Sequence, residues 1–232
     1  MRPTGVRTKD GAHQRRKGAK KALARVENDK DISGQLVETV REAAARNTAL
    51  AIVGGGTKTF YGRQSSGQRL EVGDHRGILS YEPTELVITA RAGTPLADIE
   101  TALAEKNQML GFEPPHFSIA AAAGQSKRES FDDTGKNTHF TQLHADGSAP
   151  ASERASPRES GATLGGTIAC GFSGPRRPWA GSARDFVLGA KILNGKGEIL
   201  RFGGQVMKNV AGFDVSRLMA GALGTLGVLL EV

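Results

Sequence analysis

Cysteine and tryptophan each occur once in the 232 residues of this chain. One cysteine, Cys170, excludes a disulfide within the chain and an iron–sulfur cluster held by this chain alone. The five histidines show no spacing typical of metal ligands, so we expect no metal site. A single tryptophan and a hydrophobic content of 38% are compatible with a hydrophobic core of modest size.

Long apolar runs are absent as well. No stretch reaches the roughly 18 apolar residues that a transmembrane helix requires. The N-terminus is basic, but no apolar segment follows it as in a secretory signal peptide. The sequence therefore predicts a cytoplasmic protein.

Excess positive charge is confined to one end of the chain. Residues 1–30 contain ten Lys or Arg and three acidic residues, an excess of seven that equals the net charge of +7 of the whole chain. The body is neutral by the same count, which argues against a nucleic-acid-binding surface on it. We interpret residues 1–30 as a basic disordered tail, which is either simply solvated or contacts RNA or anionic lipid.

Glycine, in contrast, is abundant at 31 residues. Residues 51–58 read Ala-Ile-Val-Gly-Gly-Gly-Thr-Lys, an apolar strand-like run that ends in three consecutive glycines. Glycine lets backbone N–H groups approach an anion closely, because no Cβ stands in the way. We call residues 54–58 the first glycine loop; by itself this pattern is also compatible with a simple turn.

Periodicity predicts the elements around this loop. Apolar residues at helical spacing predict an amphipathic helix over residues 31–47, and strands are predicted at 50–53, 69–72, 78–82 and 85–92.

A second helix is predicted to follow these strands. Thr94 is a candidate N-cap with Pro95 at the first helical position, and the helix is predicted to extend to about Asn107. A further strand is predicted at residues 109–112.

Residues 118–160 have no sustained apolar period and are rich in Ser, Ala, Gly, Asp, Lys and Gln, so we interpret them as a low-complexity insertion. Glycine-rich patterns then return in a second glycine segment (residues 161–167), interpreted as a loop, and in a third glycine loop (residues 224–228). Between them, Asn194-Gly195 predicts a β-hairpin, and residues 228–232 predict a final strand.

Two common nucleotide-binding motifs do not match. Gly195-Lys196 is followed by Gly197 instead of Ser or Thr, which excludes a P-loop. The first glycine loop is not followed by a helical pattern, as a dinucleotide-binding βαβ turn requires. The three glycine segments together are nevertheless able to cradle a pyrophosphate through backbone N–H groups.

The glycine segments, with the flanking residues 52–62, 86–97 and 181–189, resemble the FAD-binding domain of vanillyl-alcohol-oxidase-type (PCMH-type) flavoproteins. Residues 111–117 (GFEPPHF), 173–178 (SGPRRP) and 204–214 (GQVMKNVAGFD) resemble the FAD-binding subunits of bacterial glycolate oxidases. The resemblance implies an α+β fold with two α/β subdomains, at 31–117 and 161–232, the second mainly antiparallel sheet. FAD is then expected to lie between them.

The resemblance also implies the residues that contact FAD. The first glycine loop is expected to line the pyrophosphate and the second segment the flavin and ribityl region. Thr225, Gly227 and Val228 of the third loop are expected to contact the adenosine through their backbone, with a plain core strand as the alternative. No His or Cys lies in the first two segments, so we expect non-covalent FAD. The cofactor-binding residues expected in this way are Gly54, Gly55, Gly56, Thr57, Gly161, Ala162, Thr163, Leu164, Gly165, Gly166, Thr225, Gly227 and Val228.

By the same resemblance, the chain is expected to be the FAD-binding subunit of a complex that oxidises glycolate to glyoxylate. Electrons would pass to partner subunits, including a second flavoprotein and an iron–sulfur subunit, and these partners could hold the chain at the inner membrane. The alternatives are a non-catalytic accessory FAD-binding subunit and another FAD-dependent 2-hydroxy-acid dehydrogenase. Catalytic candidates are Arg176, Arg177 and Lys208; the two arginines are equally compatible with a solvated turn.

Two departures from the family pattern stand out. The insertion at 118–160 separates segments that follow each other closely in the family, and it is either a surface excursion or a disturbance of the flavin pocket. The chain also ends where the family continues into a substrate-side domain, so we expect an FAD-binding domain without its cap.

Overall fold

The computed structural model describes residues 29–63, 65–117, 161–204 and 212–232. Within these ranges, no helix is both long enough and apolar enough to cross a membrane. A 3-10 turn at Ala183–Phe186 accompanies the regular elements. The helices are α1 (Ser33–Ala45), α2 (Leu96–Ala104), α3 (Leu164–Cys170), α4 (Arg177–Ala180) and α5 (Val215–Leu218). The strands are β1 (Leu50–Val53), β2 (Gln68–Glu71), β3 (Ile78–Glu82), β4 (Val87–Ala90), β5 (Gly189–Leu193), β6 (Ile199–Gly203) and β7 (Val228–Glu231).

The first unit of the fold consists of α1, β1 and β2. Leu36, Val40 and Ala43 are buried on one face of α1, as the spacing of apolar residues in the sequence predicts. The two strands pair in parallel, with Leu50 opposite Gln68. This parallel pair directs the C-terminal end of β1 into the first glycine loop.

The other strands form two antiparallel sheets. The β3–β4 hairpin and the β6–β5–β7 sheet are joined just beyond the end of β4. There, Ala90 exchanges both backbone hydrogen bonds with Val232, at 2.9 and 3.0 Å, and the N–H of Ala92 donates to the carbonyl of Leu230 at 2.7 Å. These bonds place the end of β7 beside the end of β4. The predicted α+β class and the antiparallel sheet in the second half of the chain are confirmed.

Two clusters of buried apolar side chains lie on this framework. The larger packs α2 and α3 against the antiparallel sheets, and Leu96, Ile99 and Ile168 are its most deeply buried members from the helices. The smaller packs α1 against β2, β5 and β7. Burial of each such side chain contributes about 1.5–3 kcal/mol to folding. Each cluster combines residues from both sides of 118–160, while the proposed subdomain boundaries stay a prediction.

The prediction that Thr94 caps α2 is wrong. Its side chain lies between backbone groups, donating to the carbonyl of Gly77 at 3.1 Å and accepting from the N–H of Gly77 at 2.9 Å. Pro95 is the N-cap. The N–H of Leu96, the first residue of the helix, donates to the carbonyl of Ala162. A distant carbonyl therefore replaces the local cap that the sequence predicted.

Two further predictions near α2 are also wrong. The helix ends at Ala104, before Asn107, which adopts a left-handed conformation with φ 54°. Residues 109–112 do not form a strand. Phe112 is instead buried by packing of its ring against Phe186, with ring centroids 5.8 Å apart.

The predicted β5–β6 hairpin is confirmed, and the Asn194 side chain stabilises its turn. The side-chain oxygen of Asn194 accepts hydrogen bonds from the N–H groups of Lys196 (2.9 Å) and Glu198 (3.0 Å). Gly197 has φ +74°, a conformation that glycine adopts without a steric penalty.

A charged cluster holds the segment before α1 on the sheet. Arg91 is buried and forms ion pairs with Asp29 and, at 3.2 Å, with Asp31. His75 is fully buried beside them, and its Nδ1 atom accepts from the N–H of Ile32 at 3.3 Å. Burial lowers the pKa of His75, and the Asp31 and Glu231 carboxylates oppose that shift. Neutral His75 is therefore the form that the fold favours.

Candidate cofactor-binding site

The first glycine loop lies directly against the beginning of α3. A Cβ built on Gly55 would lie 1.4 Å from the carbonyl oxygen of Gly161, and one built on Gly54 would lie 2.9 Å from Oγ1 of Thr163. A side chain at Gly55 is incompatible with this approach. The structure thus brings together two of the three glycine segments that the sequence singled out.

The second glycine segment is a helix for most of its length, so its interpretation as a loop is wrong. Thr163 is the N-cap of α3, and its hydroxyl oxygen accepts from the N–H of Gly166 at 3.2 Å. The N–H of Leu164 donates to the carbonyl of Thr94 at 2.9 Å, and that of Gly165 to the carbonyl of Ala92 at 2.7 Å. The first amides of α3 are therefore engaged within the protein.

The amides of the first glycine loop have a different status. In the part of the chain that the structure describes, no residue accepts a hydrogen bond from the N–H groups of residues 54–57. The side chain of Thr57 is buried, and its hydroxyl oxygen lies 3.4 Å from Nζ of Lys58. This loop, rather than the start of α3, offers the backbone donors for an anionic ligand.

Lys58 is the residue of this site to which the sequence patterns assigned no role. Its side chain is half-buried, and burial lowers its pKa, an effect that the Cys170 thiol opposes. A Cβ built on Gly166 would lie 3.8 Å from Nζ, so the ammonium group lies beside the first turn of α3. A lysine directly after Gly-Gly-Gly-Thr is the only sequence signal for this position.

The third glycine loop lies at the other end of α3. The N–H of Leu223 donates to the carbonyl of Ala169 at 2.8 Å, and a Cβ on Gly224 would lie 2.9 Å from Cδ1 of Ile52. The hydroxyl of Thr225 donates to the carbonyl of Ala222 within the turn. This loop therefore borders β1 just before the first glycine loop begins.

Within and after the third loop, the remaining residues expected to contact FAD differ in environment. Gly227 has φ +148°, and a Cβ there would lie 2.9 Å from the carbonyl oxygen of Leu193. Val228 is buried and pairs with Leu193 in the sheet, as in the core-strand alternative. Ala162 and Leu164 likewise direct their side chains into the core, so any contact they make with FAD would involve backbone atoms.

Four aromatic rings follow the first glycine loop. Phe60 packs edge-on against Phe117 with centroids 5.0 Å apart, and Phe117 contacts Phe172 at 5.6 Å. Tyr61 completes the group by contacting Phe172 at 4.8 Å. These rings place half-exposed aromatic surface next to the loop, which is suited to contact with a planar ligand.

The candidate catalytic arginines lie on the surface. The N–H of Arg176 donates to Glu113 at 3.3 Å, and its guanidinium lies 3.9 Å from the same carboxylate. Arg177 is exposed at the beginning of α4. Lys208 lies outside the described residues. The structure brings Arg176 together with Glu113, and it shows no contact between either described arginine and the first glycine loop.

The residues of the first glycine loop fit a dinucleotide diphosphate. Free N–H groups and an ammonium group complement negative charge, and glycine backbone without Cβ atoms allows phosphate oxygens to approach. The loops contain no Asp or Glu side chain that would repel the phosphates. The observed donors therefore match the cofactor expected from the sequence.

Comparison with known proteins supports this interpretation. Residues 25–126 match a family described as an FAD binding domain. Glycolate oxidase subunit GlcE of Escherichia coli (strain K12) is 47% identical over 202 residues, which cover 87% of this chain and 46% of that protein. Glycolate oxidase subunit GlcD of Bacillus subtilis (strain 168) is 42% identical over 69 residues, 30% of this chain and 15% of that protein.

A solved structure shares the fold. An alkyldihydroxyacetonephosphate synthase superposes with a TM-score of 0.55 at 16% identity, covering 84% of this chain and 28% of that one. The chain thus spans less than half the length of these relatives. Residues 25–126 thus carry an FAD-binding domain, and FAD is the cofactor that this match and the 47% identity support, while the solved structure shows the shared fold alone.

Proposed function

We propose that this chain is the FAD-binding part of a glycolate oxidase (glycolate dehydrogenase) subunit, which takes part in the oxidation of glycolate to glyoxylate. The observation that carries the proposal is the 47% identity to the Escherichia coli subunit. That identity extends over 202 residues and so reaches beyond the 25–126 match to both sides of the insertion.

In this function the first glycine loop holds the diphosphate of non-covalent FAD. The free N–H groups of residues 54–57 orient it, and Thr163 keeps α3 in place behind the loop by capping it. The aromatic group of Phe60, Tyr61, Phe117 and Phe172 excludes water from one side. FAD, when bound, accepts the hydride that an alcohol loses on oxidation.

The substrate carboxylate requires a cation, and Arg176 and Arg177 are the candidates for it among the described residues. Arg176 is half-exposed, and its guanidinium lies near the carboxylate of Glu113. A substrate carboxylate would have to replace that contact. The glycine segments contain no acidic or histidine side chain, so we propose that acid–base chemistry comes from residues outside these segments. Because its single cysteine cannot hold an iron–sulfur cluster alone, we propose that electrons leave this chain through partner subunits, including a second flavoprotein and an iron–sulfur subunit.

An accessory role without turnover is the second candidate. It is favoured by the engagement of Arg176 with Glu113 and by the lack of acid–base side chains in the glycine segments. In either role we expect the subunit in the cytoplasm, held at the inner membrane by its partners where these associate with it.

Anaerobic spectroscopy separates these functions. The purified chain, alone and with its partner subunits, is mixed with FAD, and the visible flavin band is followed as glycolate or lactate is added. We expect FAD that acid precipitation releases into the supernatant, and bleaching by glycolate in the complex. A chain that takes up no FAD contradicts the proposal.

The arginine candidates are tested in the same assay. Replacement of Arg176 and Arg177 by Ala in the complex should slow the reduction of the flavin by glycolate, without changing the FAD content. An unchanged rate would exclude both arginines from the reaction. FAD that binds normally but is never reduced, in the wild-type complex, would favour the accessory role.

A further inference from the structure

The ammonium group of Lys58 is a half-buried positive charge without a counter-ion in the described part of the chain. Its recorded polar contact is with the neutral hydroxyl of Thr57, at 3.4 Å. No carboxylate among the described residues pairs with it. Burial lowers the pKa of Lys58, and Cys170 is the group whose charge opposes this shift. A desolvated cation beside a neutral oxygen is destabilising unless an anion joins it.

The groups described near the first glycine loop and Lys58 are electropositive or neutral. The N–H groups of residues 54–57 have no acceptor among the described residues, and the backbone of Gly166 lies close enough that a Cβ there would be 3.8 Å from Nζ. The Lys58 charge opposes the upward pKa shifts of two groups, Cys170 and His116. His116 is itself paired with Glu100 at 2.9 Å, so that carboxylate is already engaged.

We propose that Lys58 is the counter-ion of an anionic ligand in the first glycine loop, and specifically of the FAD diphosphate. Its half-buried ammonium group supplies a charge-assisted contact to a phosphate oxygen that the adjacent backbone N–H groups bind from the other side. The inference relies on the proposed position of FAD against this loop, but it does not depend on which substrate is oxidised.

The position of Lys58 also predicts an opposite effect on the protein without cofactor. In the FAD-free protein no carboxylate among the described residues pairs with the ammonium group, so an apolar side chain of similar length should be tolerated or even preferred. Lys58 would thus increase cofactor affinity at the expense of the stability of the cofactor-free protein. A lysine needed only for folding would show the reverse behaviour.

The test compares the full-length chain with Lys58→Met, Lys58→Arg and a matched control, Lys196→Met, whose side chain is exposed in the β5–β6 turn. Binding of FAD and of riboflavin, which has no phosphate, is measured by flavin fluorescence at low and high salt. We expect Lys58→Met to weaken FAD binding on the order of 10- to 100-fold, as for loss of one charge-assisted hydrogen bond, and to leave riboflavin binding unchanged. Lys58→Arg should keep most of the affinity, and Lys196→Met all of it.

Thermal unfolding provides the second readout. Without FAD, Lys58→Met should melt at the same temperature as the wild type or higher, and the increase in Tm on adding FAD should be smaller. A lower Tm of the FAD-free variant, or equal losses for FAD and riboflavin, would overturn the proposal, because either result indicates a structural role.

The remaining outcomes assign the anion to its source. If Lys58→Met binds FAD normally but needs more glycolate for half-maximal flavin reduction, the counter-ion is the substrate carboxylate and the proposal is wrong. If the wild-type chain itself binds no FAD, the proposed function fails together with this inference. Normal FAD binding by the wild type and by Lys58→Met alike contradicts the inference alone.

Discussion

The Cα of Gly55 faces the carbonyl oxygen of Gly161 so closely that a Cβ on Gly55 would lie 1.4 Å from that oxygen. This contact joins two segments that are more than a hundred residues apart in the chain. It places the free amides of the first glycine loop beside α3. The close approach of the loop to the segment that leads into α3 therefore depends on the absence of a Cβ at Gly55.

We expect Gly55→Ala to displace the first glycine loop from α3. Overpacking of this kind costs about 1–3 kcal/mol, and FAD affinity should fall as well because the amides move. Urea unfolding and FAD fluorescence titration measure the two effects. Gly34→Ala is the control, since no atom lies within 4 Å of a Cβ there and the residue is in α1. The control should gain about 1 kcal/mol of stability; a tolerated Gly55→Ala would show that the loop is not tightly packed.

We expect Thr163→Val to destabilise the protein by about 0.5–2 kcal/mol through loss of the α3 cap. The substitution keeps the shape of the side chain but removes the oxygen that accepts from the N–H of Gly166. Thr163→Ser retains that oxygen and should remain close to the wild type. Chemical denaturation of the three proteins measures the difference, and equal stability of the Val and Ser variants would contradict the cap.

Stability should decrease as the solution is acidified, because of His75. Its pKa in the folded protein is lowered by burial, so the unfolded chain takes up the proton first. The stability that neutral His75 provides is thus lost as the pH falls below its usual pKa of 6.5 towards the lowered value. Between pH 8 and pH 5, we expect the urea concentration at the unfolding midpoint to decrease less in His75→Gln than in the wild type. The difference should correspond to the titration of this one group.

His116 provides a control of opposite sign. The hydrogen bond to Glu100 raises its pKa, so its contribution to stability is present below the usual value and is lost as the pH rises through the raised one. His116→Gln should therefore lower stability more at acidic than at neutral pH. The effect should be small because about a third of the side chain is exposed. The same pH response in both variants would contradict these assignments.

We expect Arg91→Met to destabilise the protein by about 1–3 kcal/mol, less than for a fully buried pair because its two partners are partly exposed. The variant leaves Asp29 and Asp31 without their cation, so the segment before α1 should exchange its amide hydrogens faster. Arg69→Met removes an exposed pair with Glu71 and should change stability by less than about 1 kcal/mol. Equal effects of the two substitutions would show that burial of Arg91 is unimportant.

Local patterns were sufficient for much of the fold. The helical spacing of Leu36, Val40 and Ala43 correctly predicted α1, and Asn194-Gly195 correctly predicted the hairpin, because both depend on residues close together in the chain. Thr94 and residues 109–112 were predicted incorrectly, since their partners come from remote segments. The hydroxyl of Thr94 donates a hydrogen bond to the carbonyl of Gly77, and the ring of Phe186 packs against that of Phe112.

By itself, the sequence determined that the chain is rich in glycine, has one cysteine and has no long apolar run, and it led to the hypothesis that backbone amides of the first glycine loop bind an anion. Only the tertiary structure decided which amides are available. The first N–H groups of α3 donate to the carbonyls of Ala92 and Thr94. The N–H groups of residues 54–57, in contrast, have no acceptor among the described residues. It also decided that Lys58 is half-buried and that no carboxylate in the described ranges pairs with it, because burial and pairing depend on segments that meet only in the folded chain.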